Sequence, residues 1–330
     1  MADYINLGNE SFRRVLKREY IDKTGIISVV NDTLFTDACF TCVTRCRRFG
    51  KSLAARTLCA YYDKSCDSRE LFRGLEIESH PTFEEHLNKY PVIYVDMTDF
   101  MTRYRGRKDV VDIIQQTLIK DIATVYGDVE VMDDDDLMAY LLRIAARTGE
   151  RFVIIIDEWD AICREYEGVS NTMNAYVDFL RRMFKSEKAL RVFACAYLTG
   201  ILPIKKYKTE SALNNFREYS MIDPKGMAGC FGFTRDEVRM LCERHGMEFE
   251  DMIKWYDGYS IGCEPSMFNP NSVMEAIAAK YYKSFWASTG SFDAVARYIQ
   301  MDYEGLQGDV TSMLAGGRCK VETTSFGNDP

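Results

Sequence analysis

The sequence predicts an α/β fold of three layers, in which a mainly parallel sheet lies between helices. Short apolar segments rich in β-branched residues alternate with helical patterns across residues 37–222, as expected for parallel strands joined by crossover helices. Two of these strands, at 38–44 and 152–156, end in residues typical of phosphate and metal sites. After about residue 223 strong strand patterns stop and helical ones continue, which predicts a smaller helical C-terminal domain.

We therefore predict three parts. Residues 1–36 form an N-terminal helical segment that packs on the core, residues 37–222 form the core itself, and residues 223–330 form a helical lid domain. A chain of 330 residues is long enough to bury a main core and a second, smaller one.

Composition excludes several classes of protein. The net charge of −8 gives the chain as a whole no strong attraction to nucleic acid or to an anionic membrane. No apolar run approaches the roughly 18 residues that a membrane span needs, and no secretion signal is apparent at the N-terminus. Eleven cysteines, an odd number, indicate reduced thiols and a cytosolic location.

The run Cys42–Ser52 has the form of a phosphate-binding loop, or Walker A motif. An apolar strand ends in Gly50, Lys51 and Ser52 and leads into helix-forming residues. In such loops backbone N–H groups and the helix N-terminus hold phosphates, a lysine contacts the β- and γ-phosphates, and a hydroxyl ligates Mg²⁺. Lys51 and Ser52 match the last two roles.

One position departs from the usual pattern, because Arg45 stands where the first glycine is expected. Arginine adopts positive φ less readily than glycine does. A basic loop capped by Ser52 is the alternative interpretation. On the nucleotide interpretation, the loop residues that bind the nucleotide are Arg47, Arg48, Phe49, Gly50, Lys51, Ser52 and Leu53.

A second motif, of the Walker B kind, follows the apolar run Phe152–Ile156. Asp157 is expected to hold Mg²⁺ through water, and Glu158 to orient or deprotonate the attacking water. Asp157 could instead cap the next segment, but two adjacent carboxylates favour a bound cation. Thr199 ends another strand and either contacts the γ-phosphate or the water, or is a turn residue before Gly200. Together the motifs predict binding of ATP or GTP with Mg²⁺.

Other polar clusters are better explained without a metal. Cys39, Cys42 and Cys46 have a ligand-like spacing, but the first two point to opposite faces of the predicted strand. The acidic run 133–136 is typical of a solvated helix N-terminus.

With these motifs considered, the chain resembles the predicted AAA-ATPase-like family over residues 4–310. The resemblance rests on short segments in the family's order: Tyr20–Thr24, Arg47–Ser52, Ile156–Asp160, Leu198–Ile201, Leu213–Asn215, Phe231–Thr234 and Tyr256–Tyr259. It implies a P-loop NTPase fold of the additional-strand, catalytic-glutamate division, with Glu158 as that glutamate. It also implies that an arginine in place of the first glycine is the family's own form.

Two departures from the family are expected to matter. Cys46 replaces the family's usual proline and should loosen the loop slightly. Many members continue into a PD-(D/E)XK nuclease-like domain, whose acid and lysine pattern is not found before Pro330. The resemblance leaves the oligomeric state and any protein partner open.

Three functions are compatible with this sequence. The first is an ATPase that couples Mg²⁺-dependent hydrolysis to a conformational change, in a nucleic-acid-processing or defence system. The second is an interaction module switched by nucleotide, with little turnover. The third is a nucleic-acid-binding fragment that uses Arg45, Arg47 and Arg48 on phosphates. For a cation that acts on the γ-phosphate, the candidates are Arg47, Arg48, Lys205 and Arg217.

Overall fold

The computed structural model describes residues 2–166, 169–204, 213–262 and 264–285, together with the single residues 308 and 312. The strands are β1 Phe40–Thr44, β2 Val92–Asp96, β3 Phe152–Asp157, β4 Phe193–Gly200, β5 Arg217–Tyr219, β6 Phe233–Thr234, β7 Asp257–Ile261 and β8 Glu264–Phe268. The helices are α1 Glu10–Leu16, α2 Gly25–Asn31, α3 Lys51–Tyr62, α4 Phe83–His86, α5 Met97–Arg103, α6 Val110–Val125, α7 Leu137–Thr148, α8 Ala161–Glu165, α9 Ser170–Phe184, α10 Glu187–Val192, α11 Arg235–His245, α12 Phe249–Tyr256 and α13 Pro270–Ala279.

The main sheet has five parallel strands in the order β2-β3-β4-β1-β5. Strand β4 lies between β1, which leads into the phosphate loop, and β3, which ends in the two acids. This insertion is the additional strand that the sequence analysis expected. The predicted α/β fold with a mainly parallel sheet is confirmed.

The central strands are apolar because they are covered on both faces. Every residue of β1, β3 and β4 is buried, as continuous Val, Ile and Phe runs predict for parallel strands. Helix α3 packs on β3 and β4 and contacts α1, whereas α6, α7 and α9 form a separate group of helices in mutual contact. This packing fixes the carboxyl ends of the strands, where the candidate site lies.

The N-terminal segment adds to the same core. The backbone of residues 4–6 runs beside β2: the N–H of Asn6 donates to the carbonyl of Val92, and that of Tyr94 to the carbonyl of Tyr4. Phe12, Ile26 and Ile27 are fully buried there.

The C-terminal region differs from the prediction in two ways. A three-stranded sheet in the order β6-β8-β7 is present, so the expectation that strands stop after residue 223 is wrong. Gly258 and Pro265 weaken the strand signal in the sequence, and strand pairing overrides it. The chain divides after Thr234 instead of at 223, and Tyr259–Met267 returns to the first unit.

The second unit comprises Arg235–Gly258 and the residues from Phe268 onward. Its helices α11, α12 and α13 contact one another around buried side chains that include Leu241, Met252 and Val273. Among the described residues of both units, no helix combines the length and the apolar character that crossing a bilayer demands.

Candidate nucleotide site

The site begins as a row of polar side chains at the carboxyl ends of neighbouring strands. Asp96 on β2 is in register with Asp157 on β3, and Asp157 is in register with Thr199 on β4. Thr199 is in turn in register with Val43 on β1, one residue before that strand ends. In open α/β sheets, ligands bind beyond this edge where the strand order reverses. The predicted residues of three separate motifs therefore meet at one place.

The loop between β1 and α3 has the backbone of a tight turn. Gly50 and Arg48 are left-handed, with φ of 93° and 67°, and α3 begins at Lys51. Arg45 is not among the residues with positive φ. The expectation that Arg45 would be strained at the usual glycine position is therefore wrong, because the turn places its left-handed residues later in the loop.

Arg45 instead has a structural position. Its side chain is buried, and its guanidinium donates to the carbonyls of Thr44 at 2.9 Å, Tyr219 at 2.6 Å and Met227 at 3.3 Å. It also lies over the Phe231 ring, 5.0 Å from the centroid. Burial lowers the pKa of this guanidinium. The hypothesis that Arg45 binds phosphates is not compatible with these contacts.

Lys51 points into the loop. Its side chain is 4% exposed, and its Nζ donates to the carbonyls of Arg45 at 3.1 Å and Cys46 at 3.2 Å. Glu158 Oε1 lies 3.4 Å from the same Nζ. The ammonium group thus occupies the concave side of the loop, held by carbonyls and one carboxylate. An incoming phosphate would offer it stronger acceptors.

Asp157 is a buried acid without full compensation. Burial raises its pKa to about 6, with further contributions from Asp96 and Glu158, while hydrogen bonding from Ser52 and Tyr94 acts in the opposite direction. The Tyr94 hydroxyl donates to its Oδ2 at 3.2 Å. Its Oδ1 is buried and accepts no hydrogen bond from any described residue.

This environment fits a magnesium ion. An orphaned carboxylate oxygen and a neighbouring serine hydroxyl are hard oxygen ligands, and Mg²⁺ commonly takes only one or two ligands from the protein. Within the described parts of the chain, no group of three or more His, Cys, Asp or Glu side chains could hold a metal. Any Mg²⁺ here would need ligands from water and phosphate.

Glu158 follows immediately and has an unusual backbone, with φ of 53°. Its side chain is 19% exposed, and both of its oxygens face cations. Arg164 approaches Oε2 at 2.7 Å, opposite the contact of Oε1 with Lys51. The carboxylate is therefore near the loop, but both of its oxygens are engaged.

Thr199 contributes a second orphaned atom. Its side chain is fully buried, and its Oγ1 has no hydrogen-bond partner among the described residues. Its carbonyl accepts the N–H of Trp159 at 2.9 Å, which links the end of β4 to the turn after β3. A buried hydroxyl without a partner costs free energy, and this one is on the residue in register with Asp157.

The remaining predicted residues have different positions. Phe49 is fully buried in a small cluster with Ile261 and Met267, so only its backbone N–H is left for a nucleotide, since its carbonyl accepts the N–H of Gly232. Arg47 and Arg48 are exposed, and Ser52 and Leu53 are half-buried.

Of the two more distant candidates for a cation that acts on the γ-phosphate, the structure describes only Arg217. Arg217 is in register with Thr41, three positions before β1 ends, which is about 10 Å from the edge at 3.3 Å per residue. The backbone of Arg217 therefore lies well behind the edge of the sheet at which phosphates would bind. Lys205 lies outside the described residues.

Three residues of the site were missed by the sequence analysis. Arg164 pairs with Glu158 and lies 3.6 Å from the buried Asp160, and Tyr94 hydrogen-bonds Asp157. The i, i+4 spacing of Asp160 and Arg164 was a visible signal for an ion pair. No sequence signal reveals Tyr94, because its contact depends on the register between β2 and β3.

The strand order and the loop geometry define a P-loop NTPase fold of the additional-strand type. A family model described as AAA-ATPase_like, Predicted AAA-ATPase, matches residues 6–209. The chain belongs to this family, as the sequence motifs indicated. The match ends short of the 4–310 span over which the motifs were found. No curated protein was found to match.

Two solved structures are distant likenesses. One is a replication initiator DnaA bound to AMPPCP and single-stranded DNA, with 10% sequence identity and a TM-score of 0.38; the match covers 94% of this chain and 75% of that one. The other is a DNA replication initiation factor, with 10% identity and a TM-score of 0.34; it covers 90% of this chain and 67% of that one. Neither likeness is close enough to carry an argument about this chain.

Proposed function

We propose that this protein binds and hydrolyses ATP in a Mg²⁺-dependent reaction and couples it to a conformational change. One observation carries the proposal: two buried polar atoms on adjacent strands, Asp157 Oδ1 and Thr199 Oγ1, lack partners among the described residues, and the next residue, Glu158, pairs with Lys51. Folded proteins seldom leave two such atoms unsatisfied side by side. A bound ligand that supplies ligating and accepting groups explains both.

Each residue has a role that follows from its position. Backbone N–H groups from Arg47 to Leu53 would hold the phosphates, and Lys51 would exchange the loop carbonyls for phosphate oxygens. Glu158 would accept a proton from the attacking water, and Thr199 would orient that water or the γ-phosphate. Ser52 and Asp157 would hold Mg²⁺, which neutralises charge on the phosphates.

The loop also has a contact through which a conformational change could spread. Phe49 packs on Tyr259 with 4.8 Å between ring centroids, and on Ile261 and Met267. These residues belong to the β7-β8 hairpin, whose ends continue into α12 and α13. A change in loop conformation on phosphate binding would therefore move Phe49 and alter its packing against the hairpin.

Equilibrium binding and steady-state hydrolysis test the proposal. Lys51→Ala is expected to lose ATP-dependent thermal stabilisation, and Glu158→Gln to keep it while its turnover falls at least about 100-fold. Lys188→Ala, an exposed lysine on α10, is the matched control and should behave as wild type. Equal turnover in wild type and Glu158→Gln contradicts the assignment. Parallel titrations with GTP, and with ATP without Mg²⁺, establish the nucleotide and the ion.

A specific observation favours a second candidate, the nucleotide-switched module with little turnover. Both oxygens of Glu158 are engaged by cations, so the group expected to activate water is not available in this conformation. A single-turnover experiment separates the two functions. Bound ATP that stays intact for hours supports the switch, whereas conversion to ADP within minutes supports the ATPase.

Two further parts of the proposal concern the partner and the location of the protein. A nucleic acid partner would have to bind to the exposed Arg47 and Arg48, because Arg45 is buried. Steeply salt-sensitive DNA binding in the absence of ATP would favour such a partner. A cytosolic location would agree with the free thiols of the nine described cysteines. A protein partner, a homo-oligomer and a role in a defence system remain proposals that pull-down and mass measurements can examine.

A further inference from the structure

The carboxylate of Glu158 is restrained on both sides. Its Oε2 is 2.7 Å from the guanidinium of Arg164, a distance typical of a charge-assisted hydrogen bond. Its Oε1 is 3.4 Å from Lys51 Nζ, which is an ion pair of longer range. A general base needs a free lone pair directed at the water, so a carboxylate held in this way is poorly placed for hydrolysis.

We propose that Arg164 is a positioning residue that holds Glu158 in a resting orientation, so that hydrolysis requires Glu158 to exchange Arg164 for the attacking water. The inference rests on the proposed ATPase function and adds a control of its rate. In the active orientation, the water oxygen bonds to the γ-phosphorus, the bond to the ADP oxygen breaks, and the water proton passes to Glu158.

Arg164 differs from Lys51 in what happens when nucleotide binds. Phosphate oxygens compete directly for Lys51, so that contact with Glu158 weakens on ATP binding. Arg164 lies on α8 after the strand, and nothing in the phosphate loop contacts it among the described hydrogen bonds and ion pairs. Its hold on Glu158 is therefore expected to persist in the ATP-bound protein until the turn after β3 changes.

A second acid fixes Arg164 in place. The Nε of Arg164 lies 3.6 Å from Oδ2 of Asp160, which is fully buried. The same oxygen accepts the N–H groups of Ile201 and Leu202, just after the strand that ends with Thr199 and Gly200. The guanidinium thus bridges the catalytic glutamate and a buried acid attached to the neighbouring strand end. Movement of that strand end would move Arg164 relative to Glu158.

The backbone of Glu158 limits which part of the residue can reorient. Its φ of 53° is left-handed, and it is followed by the hydrogen bond from the N–H of Trp159 to the carbonyl of Thr199. Such a conformation is strained for a residue with a side chain and persists only where the surroundings enforce it. The peptide is therefore fixed, and the change from resting to active orientation involves rotation of the Glu158 side chain.

Steady-state kinetics of Arg164 variants test this inference. Arg164→Ala is expected to raise kcat for ATP about three- to tenfold, the worth of one partly exposed charge-assisted hydrogen bond, with KM within about twofold. Arg164→Lys keeps the charge beside Asp160 but not the fork geometry, so its kcat should be intermediate. Arg164→Lys also provides the test if Arg164→Ala fails to fold. Arg143→Ala, which removes a similarly exposed arginine of α7 that pairs with Asp135, is the control and should keep the wild-type kcat.

A double variant shows whether the gain passes through Glu158. Arg164→Ala combined with Glu158→Gln should be as slow as Glu158→Gln alone, because no base remains to be released. A kcat that is unchanged or lower in both Arg164→Ala and Arg164→Lys overturns the inference, as does a gain that survives in the double variant. If Arg164 instead held Glu158 in the orientation that catalysis needs, kcat would fall in both Arg164→Ala and Arg164→Lys.

The two proposals fail in distinguishable ways. If the ATPase assignment is wrong, no variant hydrolyses ATP, whether or not wild type binds it. If only the Arg164 inference is wrong, wild type still exceeds Glu158→Gln in turnover, but the Arg164 variants do not exceed wild type. Turnover that appears only in Arg164→Ala, in a protein that otherwise holds ATP intact, supports the inference strongly.

Discussion

Arg45→Gly is a substitution for which the sequence motif and the structure predict opposite results. Glycine is the usual residue of a phosphate-binding loop at this position, so the motif predicts a neutral or favourable change. In the structure, Arg45 needs no positive φ, and its guanidinium serves three carbonyls from three segments of the chain. We therefore expect Arg45→Gly to destabilise the protein.

The size of this destabilisation follows from the hydrogen bonds that the three carbonyls lose. Hydrogen bonds to a charged donor contribute about 1.5 to 3 kcal/mol each, and the stacking on Phe231 about 1 kcal/mol more. Removing a buried guanidinium also removes its desolvation cost, which offsets a large part of this loss. The net expectation is about 3 to 5 kcal/mol, since the carbonyls of Thr44, Tyr219 and Met227 lose a shared donor. For a chain of this size that corresponds to a fall in Tm of roughly 5 to 10 °C.

Chemical denaturation of the nucleotide-free protein measures this loss. Arg45→Lys is a useful comparison, because a single ammonium cannot bridge all three carbonyls and should recover less than half of the stability. Binding of ATP to Arg45→Gly should be weaker mainly because the loop loses its connection to β5. If Arg45→Gly unfolds at the same denaturant concentration as wild type, the structural role assigned to this arginine is wrong.

Three further predictions concern the buried groups of the site. Because burial raises the pKa of Asp157 to about 6, the folded state binds its proton more tightly than the unfolded chain, and stability falls as pH rises from about 4 to 6. Asp157→Asn should therefore be more stable than wild type by up to about 3 kcal/mol at pH 7.5 without Mg²⁺, and this gain should disappear near pH 4. Urea unfolding at both pH values measures the gain, and a gain that does not depend on pH contradicts the prediction. Thr199→Val removes a buried hydroxyl that has no partner among the described residues, so it should stabilise the nucleotide-free protein by about 1 kcal/mol. The same substitution should lower turnover roughly tenfold. A loss of stability on thermal unfolding would show that the hydroxyl already has a hydrogen-bond partner. Phe49→Ala should cost about 3 kcal/mol and speed amide exchange in Tyr259–Met267, and unchanged exchange there would disprove the link between loop and hairpin.

Much of the fold could be predicted because strand and helix patterns are strong in the first two thirds of the chain. The apolar run before Asp157 and the alternating helices predict a parallel sheet, and the observed β3 extends the predicted run Phe152–Ile156 by one residue. The C-terminal region was harder. Strands β6 to β8 are short, and β7 contains a glycine and β8 a proline, so they form only because they pair with one another.

The candidate site could be predicted only in part. Lys51, Ser52, Asp157 and Thr199 lie at the carboxyl edge of the sheet because each is at the end of a strand or shortly after it, which is a property that sequence patterns reveal. The side-chain contacts within the site were not predictable in this way. The direction of Arg45 depends on carbonyls of residues far away in the sequence, which no local pattern encodes.

The sequence by itself determined the class of fold, the phosphate loop and the pair of acids, since these depend on residues close together along the chain. Only the tertiary structure decided which arginines are buried among carbonyls and which contact the acids of the candidate site. It places Arg45 inside the protein, where buried carbonyls need a donor, and Arg164 against Glu158, where two acids share one cation. The physical reason is that hydrogen bonds and ion pairs depend on distances in space, and strand register sets those distances only after the chain has folded.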